Sequence, residues 1–130
     1  MQHIHFKKIL VPIDFSNTAK RSLEHVKWLA KIFYSEVTLI HVGEIVPALT
    51  VFPSLYLPET GLPTDYQNLA RTKLEEWKEE LKQDGLENVK THYTEGNVAA
   101  SVNQYAVDEK MDIVVMGTHG TKGITGFFML

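Results

Sequence analysis

"KKILVPIDFS", Lys7 to Ser16, is the stretch on which the fold turns. Ile9, Leu10 and Val11 form an apolar run with no polar alternation, bounded by lysines and closed by a polar turn. A strand apolar on both faces is covered from both sides, which is the mark of a parallel sheet. Pro12 stiffens the turn that follows, Asp14 offers a carboxylate, and Ser16 carries the side chain of a helix N-cap. From Ser16 onward Ala19, Leu23, Val26, Ala30 and Phe33 recur at spacings of three and four, the period of an amphipathic helix.

The same rhythm repeats outward. "EVTLIHVGE" (Glu36–Glu44), "VKTHYTEG" (from Val89) and "MDIVVMG" (Met111–Gly117) read as three more strands. Between Tyr66 and Leu81 a stripe of Tyr66, Leu69, Lys73 or Leu74, Trp77 and Leu81 predicts a second helix. Thr64 and Gln67 resemble a capping box at its start, and Gly85 stands at its expected stop. Asn97 is placed to cap a third helix, whose inner face is Val98, Val102, Tyr105 and Ala106. Strands alternating with helices predict one α/β domain over residues 1–130, an open twisted sheet with helices on both faces. The proline-rich segment from Gly43 to Pro63 breaks the rhythm, and a connection of that length is usually functional or mobile.

Composition bounds the function. A formal net charge of −3 and 22% charged residues exclude the basic excess of a duplex-binding protein. No cysteine is present, so disulfides, thiolate metal sites and cysteine nucleophiles are excluded. No apolar run reaches the length of a membrane span, and "MQHIHFKKILVPIDFS" lacks the core of a signal peptide. The expectation is a soluble cytoplasmic domain that contacts neither nucleic acid nor membrane.

Two stretches stand at the carboxyl ends of strands, where open α/β sheets bind ligands. In "VPIDFS", Asp14 and Ser16 serve either a ligand or plain helix capping. In "MGTHG", Met116 to Gly120, glycine lets the backbone approach a ligand closely, or makes only a tight turn. His119 inside that loop is a candidate donor to phosphate. His3 and His5 have no third metal ligand nearby in sequence, and His41 and His92, on strands, read as packed or hydrogen-bonded. Glu95, Gly96 and Asn97 read as a capping stretch that could also border a ligand mouth. Neither a Gly-x-Ser-x-Gly elbow nor a full Walker loop is present, and no catalytic set stands out.

Taken together, "KKILVPIDFSNTAKRSLEHVKWLA", "VTLIHV" and "EGNVAASVNQYAVDEKMDIVVMGTHG" resemble the universal stress protein family over nearly the whole chain. The resemblance implies strand order 3-2-1-4-5, with dimerisation through the last strand. It also implies ATP or another adenine nucleotide, with Mg²⁺ accompanying ATP, across the ends of strands one and four. By position, Pro12 and Ile13 would line the turn and Asp14 would reach ribose and phosphates. The main chain at Val42 would face adenine, with Met116, Gly117, His119 and Gly120 along ribose and phosphates. The family's motif runs G-x-x-G, nine residues, then Gly followed by Ser or Thr. Gly117 and Gly120 match its opening, whereas Leu130 stands where the next glycine is expected. The expectation is therefore order 3-2-1-4, with the usual last helix and fifth strand missing and strand four left with a free apolar edge. The implied function is a nucleotide-dependent sensor or regulator. Its alternatives are a nucleotide-free dimerising module and a slow ATPase using the same site.

Overall fold

The computed structural model describes residues 6–44, 62–117 and 125–129. In chain order the elements are β1 (Lys8–Pro12), α1 (Asn17–Phe33), β2 (Glu36–Gly43), α2 (Thr64–Gln83), β3 (Val89–Glu95), α3 (Val98–Asp108), β4 (Ile113–Gly117) and β5 (Thr125–Met129). They form one sheet of order β3-β2-β1-β4-β5. β1 is central, parallel to β2 from Lys8↔Glu36 to Pro12↔Ile40 and parallel to β4 at Ile9↔Ile113 and Leu10↔Val114. The order 3-2-1-4 is the one expected from the sequence.

The far edge of β4 differs from expectation. It is not free, because β5 pairs with it antiparallel from Ile113↔Met129 to Gly117↔Thr125. A parallel fifth strand needs a crossover of a dozen or more residues, and the interval from Gly117 to Thr125 is too short for one. An antiparallel return is the pairing that so short an interval permits.

Period-two alternation sorts the strand residues between two cores. Ile9, Val11, Val37, Leu39, Ile113 and Val115 pack under α1 and α2, against Leu23, Val26, Leu74 and Leu81. Leu10, Ile40, Val42 and Val114 pack on the opposite face with Val102 and Ala106 of α3. Both cores are near fully buried, as strands that are apolar on both faces require.

The helix boundaries follow local chemistry. Ser16 caps α1 by accepting from the Ala19 amide at 3.1 Å, and Asn97 caps α3 by accepting from Ala100 at 2.9 Å. The capping box at Thr64 does not form. Pro63 is the N-cap of α2, in extended backbone, and Thr64 is already helical. Gln67 instead donates its side-chain amide to the Leu62 carbonyl at 2.7 Å. The buried stripe of α2 is Ala70, Leu74, Trp77 and Leu81, while Tyr66 and Leu69 lie outside it, exposed. At its end Gly85 has φ +104, the Gly85 amide donates to Lys82 and the Leu86 amide to Leu81, a Schellman stop. Most of the Gly43–Pro63 segment lies outside the described residues.

Candidate functional site

β1 leads through α1 to β2 on one side, and α3 carries the chain across to β4 on the other. The connections therefore diverge between β1 and β4, and their carboxyl ends are adjacent because the two strands pair in parallel. Such a switch point leaves a crevice outside the sheet.

The turn after β1 is held on every side. The Ile13 amide donates to the Ile40 carbonyl at 2.8 Å, extending the ladder past Pro12. The Ser16 amide donates to Asp14 Oδ1 at 2.9 Å, an Asx turn that leads into the N-cap, while the capping itself is done by Ser16. Asp14 itself is exposed. Between them Phe15 takes φ +64, in the left-handed region, which costs a non-glycine residue about 1–2 kcal/mol. Its ring is fixed edge-on to Trp77 at 5.5 Å and tilted against His41 at 4.6 Å, with the Lys73 ammonium 5.5 Å from its centre.

His41 is buried on β2 and hydrogen-bonded at both ring nitrogens. Nδ1 lies 2.6 Å from the Ile13 carbonyl oxygen and Nε2 lies 2.8 Å from the Tyr66 hydroxyl. One residue on, Val42 is placed by alternation. Ile40 gives its carbonyl to the β1 side and Gly43 gives its own to Gly96 on the β3 side. Successive peptide groups of a strand point to opposite neighbours, so the N–H and C=O of Val42 face the β1 side, level with the turn. Its side chain is buried against α3.

At the end of β4, Met116 packs half-buried on the α3 face. Gly117 meets the first turn of α1: a Cβ there would lie 2.5 Å from Thr18 Cγ2 and 3.2 Å from the Thr18 carbonyl oxygen. Of the residues picked out from the sequence, Pro12, Ile13, Asp14, Val42, Met116 and Gly117 are thus brought to one end of the sheet. His119 and Gly120 lie outside the described residues.

Glu95, read from the sequence as a capping residue or a border of the ligand mouth, belongs to a polar clasp with Tyr93 and Leu62, two residues the sequence reading did not single out. The Tyr93 hydroxyl donates to Glu95 Oε2 at 2.6 Å, and the Leu62 amide lies 3.3 Å from both Glu95 oxygens. Leu62 is folded over Gly43, where a Cβ would meet Leu62 Cδ1 at 2.6 Å and the Tyr93 hydroxyl at 2.9 Å. Burial first, then the hydrogen bond to Glu95 and its charge, push the Tyr93 phenol well above its ordinary value. Tyr66 is raised by burial and by the charges of Glu44 and Glu95.

A cavity of about 320 Å³ between α2 and β3 is lined by Arg71, Leu74, Glu75, Thr91, His92 and Tyr93. Its polar groups are engaged with one another: Thr91 donates to Glu75 at 2.9 Å and the Arg71 guanidinium lies over the Tyr93 ring. Among the described residues, no group of three or more acidic or histidine side chains could hold a metal ion.

The family model described as "Universal stress protein family" matches residues 5–130. The chain belongs to that family. Universal stress protein MJ0577 of Methanocaldococcus jannaschii is 34% identical, over 88% of this chain and 78% of that one. Its solved structure has a TM-score of 0.75, covering 93% of this chain and 81% of that one. Universal stress protein YxiE of Bacillus subtilis is 27% identical, over 92% of this chain and 83% of that one. A universal stress protein solved in complex with cAMP shares the fold at 14% identity and a TM-score of 0.63, covering 91% of this chain and 77% of that one.

Proposed function

We propose that this universal stress protein binds an adenine nucleotide, ATP or AMP, at the carboxyl ends of β1 and β4 and acts as a sensor or regulator. The observation that supports the reading is that Asp14, Met116, Gly117 and the Val42 main chain all lie at the carboxyl end of the sheet, where the connections of β1 and β4 diverge. An outward carboxylate suits ribose hydroxyls, and a strand amide with its carbonyl suits the edge of adenine, which both donates and accepts. The relative solved with cAMP is in keeping with this, as a property of that protein. Mg²⁺ would accompany ATP as the counter-ion of its phosphates. Occupancy, by ordering the strand-end loops, would change a surface read by a partner.

The cellular setting proposed is the cytoplasm, which a chain free of cysteine suits. Among the described residues no helix is long and apolar enough to cross a membrane. Assembly as a homodimer belongs to the same reading, since among the described residues β5 is an edge strand of the sheet.

Calorimetric titration with ATP, AMP and adenosine, alongside a phosphate-release assay, tests this. Binding without phosphate release is the expected result, weakened in Asp14→Ala. Phosphate release that Asp14→Ala abolishes would mean a slow ATPase. The fit of Gly117 to Thr18 favours a second reading, a nucleotide-free interaction module, because packing alone then accounts for the glycine. Silence with all three ligands would establish that reading.

A further inference from the structure

The turn that carries Asp14 is tied to the start of α2 through a single side chain. The Ile13 carbonyl can only accept, so His41 Nδ1 carries the ring hydrogen and donates to it. Nε2 is then left with a lone pair, and the Tyr66 hydroxyl donates to it. Tyr66 is suited to this, since burial and nearby carboxylates keep its phenol protonated. The imidazole has little freedom to move, lying between Phe15 at 4.6 Å and Tyr93 at 6.0 Å. Tyr66 itself sits in the first turn of α2, whose entry is fixed by the Leu62–Glu95 and Gln67–Leu62 hydrogen bonds.

We propose that His41 is a positioning residue for the nucleotide-binding turn, transmitting the placement of the α2 N-terminus through Tyr66 to the Ile13 carbonyl and so to Asp14. The role rests on the nucleotide reading above. It extends that reading by naming what sets the geometry of the turn: the entry to α2, one strand away. A shift of Tyr66 removes the partner of Nε2 and with it one of the two hydrogen bonds that hold the ring on the Ile13 carbonyl.

The test uses the full chain and three variants, His41→Phe, His41→Asn and Tyr66→Phe. Phenylalanine keeps the ring and removes both hydrogen bonds, asparagine keeps a donor near the Nδ1 position, and Tyr66→Phe removes only the far link. Backbone amide resonances of Ile13 to Ser16 are recorded without ligand, and AMP and ATP affinities by calorimetry, at a temperature where every variant is folded. Expected are displaced turn resonances in His41→Phe and Tyr66→Phe and a roughly three- to tenfold loss of AMP affinity, the worth of one hydrogen bond. His41→Asn should lie closer to the parent than His41→Phe. Unmoved turn resonances in His41→Phe and Tyr66→Phe would overturn the proposal whatever the affinities. A parent chain that binds neither AMP nor ATP, while His41→Phe still displaces the turn, would overturn the nucleotide reading and leave the anchoring intact.

Discussion

A Cβ on Gly117 would stand 2.5 Å from Thr18 Cγ2, closer than side-chain carbons approach one another, with the Thr18 carbonyl oxygen behind it at 3.2 Å. Space, not backbone conformation, is what glycine supplies at this strand position. Gly117→Ala should therefore destabilise the chain by about 1–3 kcal/mol through overpacking. Adding Thr18→Ser, which removes Cγ2 and leaves the carbonyl, should recover part of the lost melting temperature. No recovery in the double variant would mean that the contact with α1 is not what selects glycine. The experiment also separates packing from ligand contact, because nucleotide affinity can be measured in the double variant. From sequence, Gly117 was read through its neighbours in "MGTHG" and its contact with Thr18 was invisible. Two residues 99 positions apart, by their numbering, meet only once β4 has been laid beside β1.

At the scale of elements, the three described helices end in the same way but with different residues. Ser35 donates back to Ala30, Leu86 to Leu81 and Met111 to Ala106, each following a residue with positive φ: Tyr34 (+53), Gly85 (+104) and Lys110 (+54). Only Gly85 does this without a steric penalty. Tyr34→Gly should therefore stabilise the chain by up to about 1 kcal/mol, and Gly85→Ala should destabilise it by a similar amount. Chemical denaturation with an unchanged m-value is the check. The pattern also explains why helix ends were unevenly legible. Gly85 announces a stop by its residue type, whereas Tyr34 and Lys110 do the same work with side chains that signal nothing. At the helix starts, Ser16 and Asn97 were readable because their oxygens cap locally. The capping box at Thr64 failed because Pro63, fixed in extended backbone, had already taken the N-cap position.

Across the whole molecule, α1 and the end of α2 are joined by Lys27, which lies 2.6 Å from Asp84 and 2.9 Å from Glu24. The hydrogen bond and charge of Lys27 hold the Asp84 carboxyl below its ordinary value, and the Asp84 hydrogen bond raises the Lys27 ammonium. A lowered acid contributes stability above its unfolded value, 3.8, and loses it as pH falls through the folded value. A raised lysine contributes below its unfolded value, 10.5, and loses it as pH rises through the folded value. The melting-temperature cost of Asp84→Asn should thus stand in full near neutral pH, shrink as pH falls below 3.8, and shrink again in strong alkali above 10.5. The effect is small, because the pair is exposed and salt screens it. At this scale the strand order was readable, since apolar runs and helical periods alternate along the chain. The polar clasp was not, because nothing in the spacing of His41, Tyr66, Tyr93 and Glu95 states that a sheet will gather them. The central place of β1 carries a kinetic consequence. Its amide at Lys8 donates to Asp112, 104 positions away, so a growing chain holds β1 half-paired until β4 has been made. The Asp14 turn consequently gains its second neighbouring strand only after β4 is made, and a nucleotide that stabilises it would act on chains that already contain β4 rather than on earlier folding intermediates.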